Sequence, residues 1–167
     1  MLFDKARGGM SEVCGTRGYW APEMIRRDAN GKRSRYTETV DWFSYGCCVY
    51  EFLVGVCPFR TDKAKCWKGF DPKKDKDKAI DAATLEMEPD FSSDVFDPKA
   101  RDFCEKLLNK DGKTRLGARG AEQVKAHPWF EDVNWALVST GKEKPPFLPG
   151  RDINMYSQSE IGMQYAL

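Results

Sequence analysis

The stretch TETVDWFSYGCCVYEFLV, residues 37–54, decides the fold because it is the longest strongly apolar element of the chain. Its apolar side chains would cover every side of a helix, whereas an amphipathic surface helix leaves one face polar. The stretch is also too long for a buried strand. It therefore predicts a helix that is buried all round, at the centre of its domain. Thr37 suits the N-cap, and Gly55 suits the position after the last turn.

Shorter helical patterns flank this central stretch. Ala21–Ile25 predicts one helical turn with its proline near the start. Further helices are predicted over 75–87, from Asp97-Pro98 to about Asn109, and over 121–126. From residue 131 onward, the prolines within 144–149 favour an extended segment. No stretch predicts a strand, so we expect a mainly α fold, with four or five helices around one apolar pillar and an extended C-terminal tail.

Composition narrows the class of protein. Hydrophobic residues make up 41% of the chain, charged residues 32%, and the formal net charge is +1. These values are typical of a globular domain and give no overall field that would attract nucleic acid. No run of apolar residues is long enough to span a membrane. Six cysteines without a Cys-x-x-Cys pair, beside a single His127, argue against a metal site and fit a reducing cytoplasm.

Positive charge is concentrated in two loops. Residues 26–35 hold five Lys or Arg against one Asp, and residues 60–78 hold eight against four Asp. Such runs are either solvated loops or docking patches for an anionic lipid or an acidic partner, and the sequence leaves both readings open. The second run includes CWKGFDP at 66–72, where two aromatic residues stand in a basic loop. His127 precedes a proline, which favours a packing or capping role over that of a general base.

Several motifs occur in a characteristic order. They are CGTRGYWAPE at 14–23, DWFSYG at 41–46, CPF at 57–59, RLG at 115–117 and HPWF at 127–130. This order resembles the second half of a protein Ser/Thr kinase domain, from the end of the activation segment through the last helices; the Ala-Pro-Glu triplet belongs to the kinase signature set. The segment at 144–149 resembles the tail of the AGC group. Within that group the chain resembles the G-protein-coupled receptor kinases, in particular the β-adrenergic receptor kinase subgroup.

The resemblance assigns roles to individual residues. The loop that binds the substrate residue after the phosphoacceptor would comprise Gly15, Thr16, Arg17, Gly18, Tyr19 and Trp20. In kinases the hydroxyl at the Thr16 position hydrogen-bonds the catalytic-loop Asp. Ala21, Pro22 and Glu23 form the structural triplet, and Glu23 would pair with Arg115 across 92 residues. Asp41 would accept hydrogen bonds from the catalytic-loop backbone, although a first-turn Asp is also favoured by the helix dipole.

The resemblance also sets expectations for the whole protein. Residues 1–130 would be part of a kinase domain and 131–167 the start of an AGC tail. The full-length enzyme would use ATP and Mg²⁺ to phosphorylate Ser or Thr on activated receptors. Its phosphate-binding and catalytic residues would precede residue 1, so we assign this chain no catalytic residue, no metal and no ATP ligand.

We expect the chain to be inactive and unstable alone. Its expected partners are a receptor-like protein substrate and the missing N-lobe, in the cytoplasm, with no nucleic acid and with peripheral membrane contact left open. The alternative function is a noncatalytic module that keeps the docking surface of a kinase lobe for protein binding.

Overall fold

The computed structural model describes residues 9–12 and 14–147. The chain divides into two units, Met1–Glu131 and Asp132–Leu167. The first unit contains α1 (Pro22–Ile25), α2 (Thr39–Val54), α3 (Asp62–Lys65), α4 (Lys76–Glu86), α5 (Pro98–Leu107) and α6 (Ala121–Lys125), with 3-10 turns at Trp67–Gly69 and Pro128–Phe130. Among the described residues β-pairing is limited to two isolated bridges, Met10 with Tyr36 and Arg27 with Arg33. The predicted mainly α fold is confirmed.

The start of α2 differs from the prediction. The helix begins at Thr39, its N-cap is Glu38, and no side chain caps it. Thr37 is therefore not the N-cap: its hydroxyl lies 3.0 Å from the Thr39 hydroxyl and does not accept from a backbone N–H. The predicted end is confirmed. Gly55 adopts a left-handed conformation (φ 84°) and donates its N–H to Glu51 O at 2.7 Å.

The prediction that α2 is buried all round is wrong. Phe43 and Cys47 are fully buried, but the Phe52 side chain is 84% exposed and Tyr45 lies at the surface. One side of α2 carries four residues at helical spacing, Asp41, Tyr45, Cys48 and Phe52. We call this side the open stripe. The described residues cover the open stripe only in part: Tyr45 packs edge-on against Trp42 and Phe103 and Cys48 is half-buried, whereas Asp41 and Phe52 are exposed. The apolar composition of the helix therefore exceeds what the described residues bury.

The core of the first unit consists of two clusters that share α2. One cluster joins α2 to α1, α4 and the loop after α2, and within it the Phe43 and Phe59 rings stack with centroids 5.6 Å apart. The other joins α2 to α5 and α6 through Val49, Phe103, Cys104, Leu107, Leu116 and Val124. Gly46 allows α5 to approach, since a Cβ there would lie 2.8 Å from Leu107 Cβ. The close packing of α5 against α2 explains why that side of α2 is buried from solvent.

The shorter helices follow their local signals. Asp97 caps α5 by accepting hydrogen bonds from the N–H groups of Lys99 and Ala100, both at 2.8 Å, and Pro98 occupies the first turn. The predicted helix over 75–87 is α4, with Asp75 and Met87 as its flanking residues. His127 is a buried cap: its Nδ1 accepts from the Trp129 N–H at 3.1 Å, and its Nε2 lies 2.9 Å from Asp102 Oδ2. The predicted capping role of His127 is confirmed.

The second unit contains one helix that the sequence did not predict. α7 spans Trp135–Ser139, within a segment expected to be extended. Asn134 caps it by accepting a hydrogen bond from the Leu137 N–H at 3.2 Å, and the first proline of the tail comes only at Pro145. The predicted extended stretch at 144–149 lies partly outside the described residues. In the described part of the chain, no helix combines the length and apolar character that crossing a bilayer requires.

Candidate functional site

The loop at 14–20 is fixed to the core through the carbonyl of Gly18. This oxygen accepts hydrogen bonds from two buried thiols, Cys57 Sγ at 3.2 Å and Cys47 Sγ at 3.5 Å. Burial raises the pKa of Cys47, which keeps that thiol protonated as a donor. Gly18 has φ +93°, and a Cβ there would lie 2.5 Å from Arg60 Cγ. Glycine is therefore required where the loop meets the core.

Tyr19 is a second attachment of the loop. Its hydroxyl donates to Glu51 Oε2 at 2.5 Å, and its carbonyl accepts from the Ser44 hydroxyl at 2.8 Å. The hydrogen bond to Glu51 and, after it, burial raise the pKa of Tyr19, so the phenol is neutral at physiological pH. Glu51 is a site residue that the sequence motifs did not predict, although a carboxylate near the end of an apolar helix signals a paired acceptor. Side chains of α2 therefore hold both Gly18 and Tyr19.

Arg17 and Trp20 connect the loop to α4. The Arg17 guanidinium lies 3.2 Å from Asp77 Oδ2 and 3.7 Å from Asp81 Oδ1, and it stacks over the Trp20 ring at 5.1 Å. Burial raises the pKa of Asp81 although the positive charge of Arg17 opposes that rise. Arg17 is thus held by two carboxylates and one aromatic face, which orients it along α4.

Glu23 and Arg115 form the predicted ion pair. Arg115 Nη1 lies 2.7 Å from Glu23 Oε1, and Nη2 lies 3.0 Å from Oε2, which is a two-point contact. Arg115 also donates to the carbonyls of Thr39 and Asn109, each at 2.8 Å, and stacks on Phe43. Its side chain is fully buried. We call this set of contacts the Arg115 anchor; it joins the Ala21-Pro22-Glu23 triplet to the start of α2 and to the turn before Arg115.

An open groove of about 770 Å³ runs along the other side of the loop. It brings Gly15, Thr16, Tyr19 and Trp20 together with Asp41, and we call it the Thr16–Asp41 groove. Arg17, Gly18, Glu23 and Arg115 do not line it. The indole N–H of Trp20 is buried and has no hydrogen-bond partner. Within the described residues, the side chains of Thr16 and Asp41 also lack a partner.

The described residues do not fit ATP and Mg²⁺. Magnesium in kinases requires convergent oxygen ligands, and within 9–12 and 14–147 no group of three His, Cys, Asp or Glu side chains is placed to hold a metal ion. The same ranges contain no glycine-rich loop followed by a lysine. No phosphate-transfer step is therefore derived from the described residues.

Comparison with known proteins gives consistent matches. Residues 3–130 match the family model described as the protein kinase domain. "G protein-coupled receptor kinase 2" of Caenorhabditis elegans is 37% identical over 151 residues, which are 89% of this chain and 19% of that protein. Human "Beta-adrenergic receptor kinase 1" is 37% identical over 151 residues, 89% of this chain and 20% of its own length. The chain thus spans about one fifth of the length of these relatives.

Proposed function

The chain belongs to the protein kinase family, and we propose that it forms the substrate-binding lobe of a Ser/Thr kinase. The relatives confirm the resemblance to the G-protein-coupled receptor kinases that the motifs predicted. The observation that carries the proposal is the attachment of the Gly15–Trp20 loop: α2 holds Gly18 and Tyr19, and α4 holds Arg17. A loop fixed in this way presents a constant surface to a peptide.

The Thr16–Asp41 groove receives the catalytic loop of a complete kinase domain in this proposal. The Thr16 hydroxyl can donate and accept at once, which suits contact with a catalytic carboxylate. The Asp41 carboxylate accepts backbone N–H groups, and the Trp20 indole N–H needs an acceptor. The open stripe on α2 continues away from this groove, so further kinase residues would cover Phe52. Polar and apolar groups without partners thus lie on surfaces that such a loop would cover.

The fixed loop acts on phosphate transfer by positioning the substrate. Residues Arg17, Tyr19 and Trp20 border the surface that would hold the residue after the phosphoacceptor, and their contacts with α2 and α4 restrict its motion. Correct orientation of reacting groups is a major source of rate in phosphoryl transfer. ATP and Mg²⁺, used by the kinase family, would be held by residues other than those described here.

The remaining expectations complete the proposal. Residues 1–130 form the kinase part and 131–167 the start of an AGC tail. The 167-residue chain does not transfer phosphate by itself, and the complete enzyme acts on receptor-like Ser/Thr substrates in the cytoplasm, with peripheral membrane contact left open. These statements are supported by membership of the kinase family and by the attachment of the loop at 15–20 to α2 and α4.

Phosphate transfer by a chimera tests the proposal. In it, this chain replaces the matching segment of human beta-adrenergic receptor kinase 1, and radiolabelled ATP reports transfer to a Ser/Thr peptide. We expect transfer by the chimera, none by the 167-residue chain alone, and a loss of about tenfold or more in kcat/KM on Thr16→Ala, equivalent to about 1.4 kcal/mol. Lys74→Ala, on an exposed loop, is the matched control.

Two results would refute this function. Phosphate transfer by the isolated chain would contradict its assignment as a binding lobe without catalytic residues. A folded but inactive chimera would favour the alternative, a noncatalytic protein-binding module derived from a kinase lobe. Circular dichroism and a cooperative unfolding transition establish that the chimera is folded.

A further inference from the structure

A second cavity, of about 470 Å³, lies apart from the peptide-binding loop. Its walls come from the basic loop at 26–35, from the start of α2 and from the turn at 110–113. Four cationic side chains line it: Arg26, Arg35, Lys110 and Lys113. We call it the basic cavity. The kinase-type contacts described above use none of these four side chains.

The cations of the basic cavity are poorly neutralised. Within the described residues, Arg26, Arg35 and Lys113 have no carboxylate oxygen within ion-pair distance. Lys110 is largely buried, donates to Met87 O at 2.7 Å and lies 3.5 Å from Glu88. Burial lowers the pKa of Lys110, although the carboxylates of Glu88 and Glu86 oppose that shift; the charge of Arg26 adds a smaller lowering. Like charges are therefore gathered in a concave space where an anion would relieve their repulsion.

The two carboxylates that face the cavity are already engaged. Both oxygens of Glu23 are held by Arg115. Asp111 accepts a hydrogen bond from the Lys113 N–H at 3.0 Å and lies 3.4 Å from the Thr114 hydroxyl. Neither carboxylate forms an ion pair with any of the four cationic groups, since the bond from Asp111 goes to the backbone N–H of Lys113. The cavity keeps an excess of positive charge.

Neutral donors complete the lining. The hydroxyls of Thr37 and Thr39 lie 3.0 Å apart, so when one donates to the other, the second can donate into the cavity. Gly112 keeps this floor open, because a Cβ there would come within 2.9 Å of Glu23 Oε1 and 3.1 Å of the Thr39 hydroxyl. Arginines, lysines and hydroxyls around a concave space are the donor set that recognises a phosphate group.

We propose that the basic cavity binds a phosphate monoester carried by a protein, the side chain of a phosphoserine or phosphothreonine. The concave shape favours a discrete phosphate group over a membrane, because a bilayer would need cations that project from one flat face. A phosphate dianion would meet Arg26 and Arg35 from the loop, Lys113 from the turn, and a threonine hydroxyl at the floor. The site is built from this chain alone, so it does not depend on phosphate transfer.

Binding of matched peptides tests this site on the 167-residue chain, once a cooperative unfolding transition has shown that it is folded; if that transition is absent, the chimera replaces it. A peptide carrying phosphoserine is compared with the same peptide carrying serine, by calorimetry and by amide spectra of the ¹⁵N-labelled chain. We expect the phosphorylated form to bind at least about tenfold more tightly, to shift the amides of residues 110–113 and 35–39, and to raise the melting temperature. Inorganic phosphate should compete with it.

Variants that remove one positive charge distinguish binding in the basic cavity from nonspecific attraction of the phosphopeptide to basic loops. We expect Arg35→Gln and Lys113→Gln each to weaken phosphopeptide binding about tenfold. Lys74→Gln, on the other basic loop, should leave the binding unchanged. If either variant unfolds, Arg26→Gln replaces it. Equal binding of the two peptides would overturn the proposal. So would an equal loss with Lys74→Gln, shifts confined to other amides, or binding to phosphoinositide vesicles without binding to the phosphopeptide.

Discussion

The Arg115 anchor and the Thr16–Asp41 groove lie on two sides of the same short segment, and they differ in how their polar groups are paired. At the anchor, Arg115 donates to Glu23 and to two backbone carbonyls, all inside the first unit. In the groove, the Trp20 N–H is buried without an acceptor, whereas the side chains of Thr16 and Asp41 are exposed and have no hydrogen-bond partner among the described residues. Buried polar groups in proteins are normally paired. The chain therefore completes the contacts of the anchor by itself, whereas the polar groups of the groove are open to contact with another surface.

Replacement of Arg115 should have the largest effect on this comparison. Arg115→Met removes the partner of Glu23 and leaves two carbonyls without donors, so we expect a loss of about 3–5 kcal/mol in the free energy of unfolding. Urea unfolding measures it. Arg119→Met is the control, because Arg119 is exposed, and it should change stability by less than about 0.5 kcal/mol. Equal losses of unfolding free energy in the two variants would show that the Arg115 anchor does not stabilise the chain.

Tyr19 tests how firmly the loop is held to α2. Tyr19→Phe removes the hydrogen bond to Glu51 and leaves a half-buried carboxylate without that donor, so we expect a loss of about 1.5–3 kcal/mol. Tyr45→Phe is the matched control, since no described residue hydrogen-bonds its hydroxyl. Equilibrium unfolding of both variants gives the difference; no difference between them would mean that the Glu51 contact does not stabilise the loop.

The smallest expected effect concerns Asp81 and depends on pH. Burial raises its pKa above the ordinary value of 3.8, so its protonated form favours folding and that contribution is lost as pH rises through the folded-state pKa. At pH 7, Asp81→Asn should therefore stabilise the chain, by less than about 1 kcal/mol because part of the gain is offset by loss of the Arg17 contact.

Melting curves between pH 4 and pH 7 measure this effect. The advantage of Asp81→Asn should shrink as pH falls towards 3.8. Asp77→Asn, whose side chain is 68% exposed, should give no such gain. Destabilisation by Asp81→Asn at pH 7 would show that the ion pair with Arg17 outweighs the cost of burial.

Much of the fold could be predicted because its signals are local. Asp97-Pro98 marks the start of α5, Gly55 marks the end of α2, and the apolar spacing places α4. The Glu23–Arg115 pair came from the resemblance, since 92 residues separate the partners and no local rule connects them. The prediction for α2 failed in an informative way: its composition predicts burial on all sides, while the described residues leave Phe52 exposed.

Other parts of the site depend on how distant segments meet. The thiols of Cys47 and Cys57 converge on Gly18 only when the loop after α2 folds back, and sequence gives no measure of that approach. The basic cavity likewise joins a loop at 26–35 to a turn at 110–113. Its charge was visible in the sequence, but its concave shape was not. The roles of Gly15–Trp20 in substrate binding and the domain boundary after residue 130 stay predictions.

Amide hydrogen exchange in the isolated chain and in the chimera measures whether other kinase residues cover the loop at 14–20. Side chains of α2 and α4 hold the loop in the isolated chain, but they leave most of its N–H groups without an acceptor. Among the described residues, only the Tyr19 N–H of 14–20 has a backbone acceptor, Thr16 O, so amides of 14–20 should exchange rapidly there. Arg115 and Leu116, whose N–H groups bond Asp111 O and Lys106 O, should be protected. In the chimera we expect 14–20 to become protected and the Arg115 region to change little. Strong protection of 14–20 in the isolated chain, unchanged in the chimera, would contradict the account.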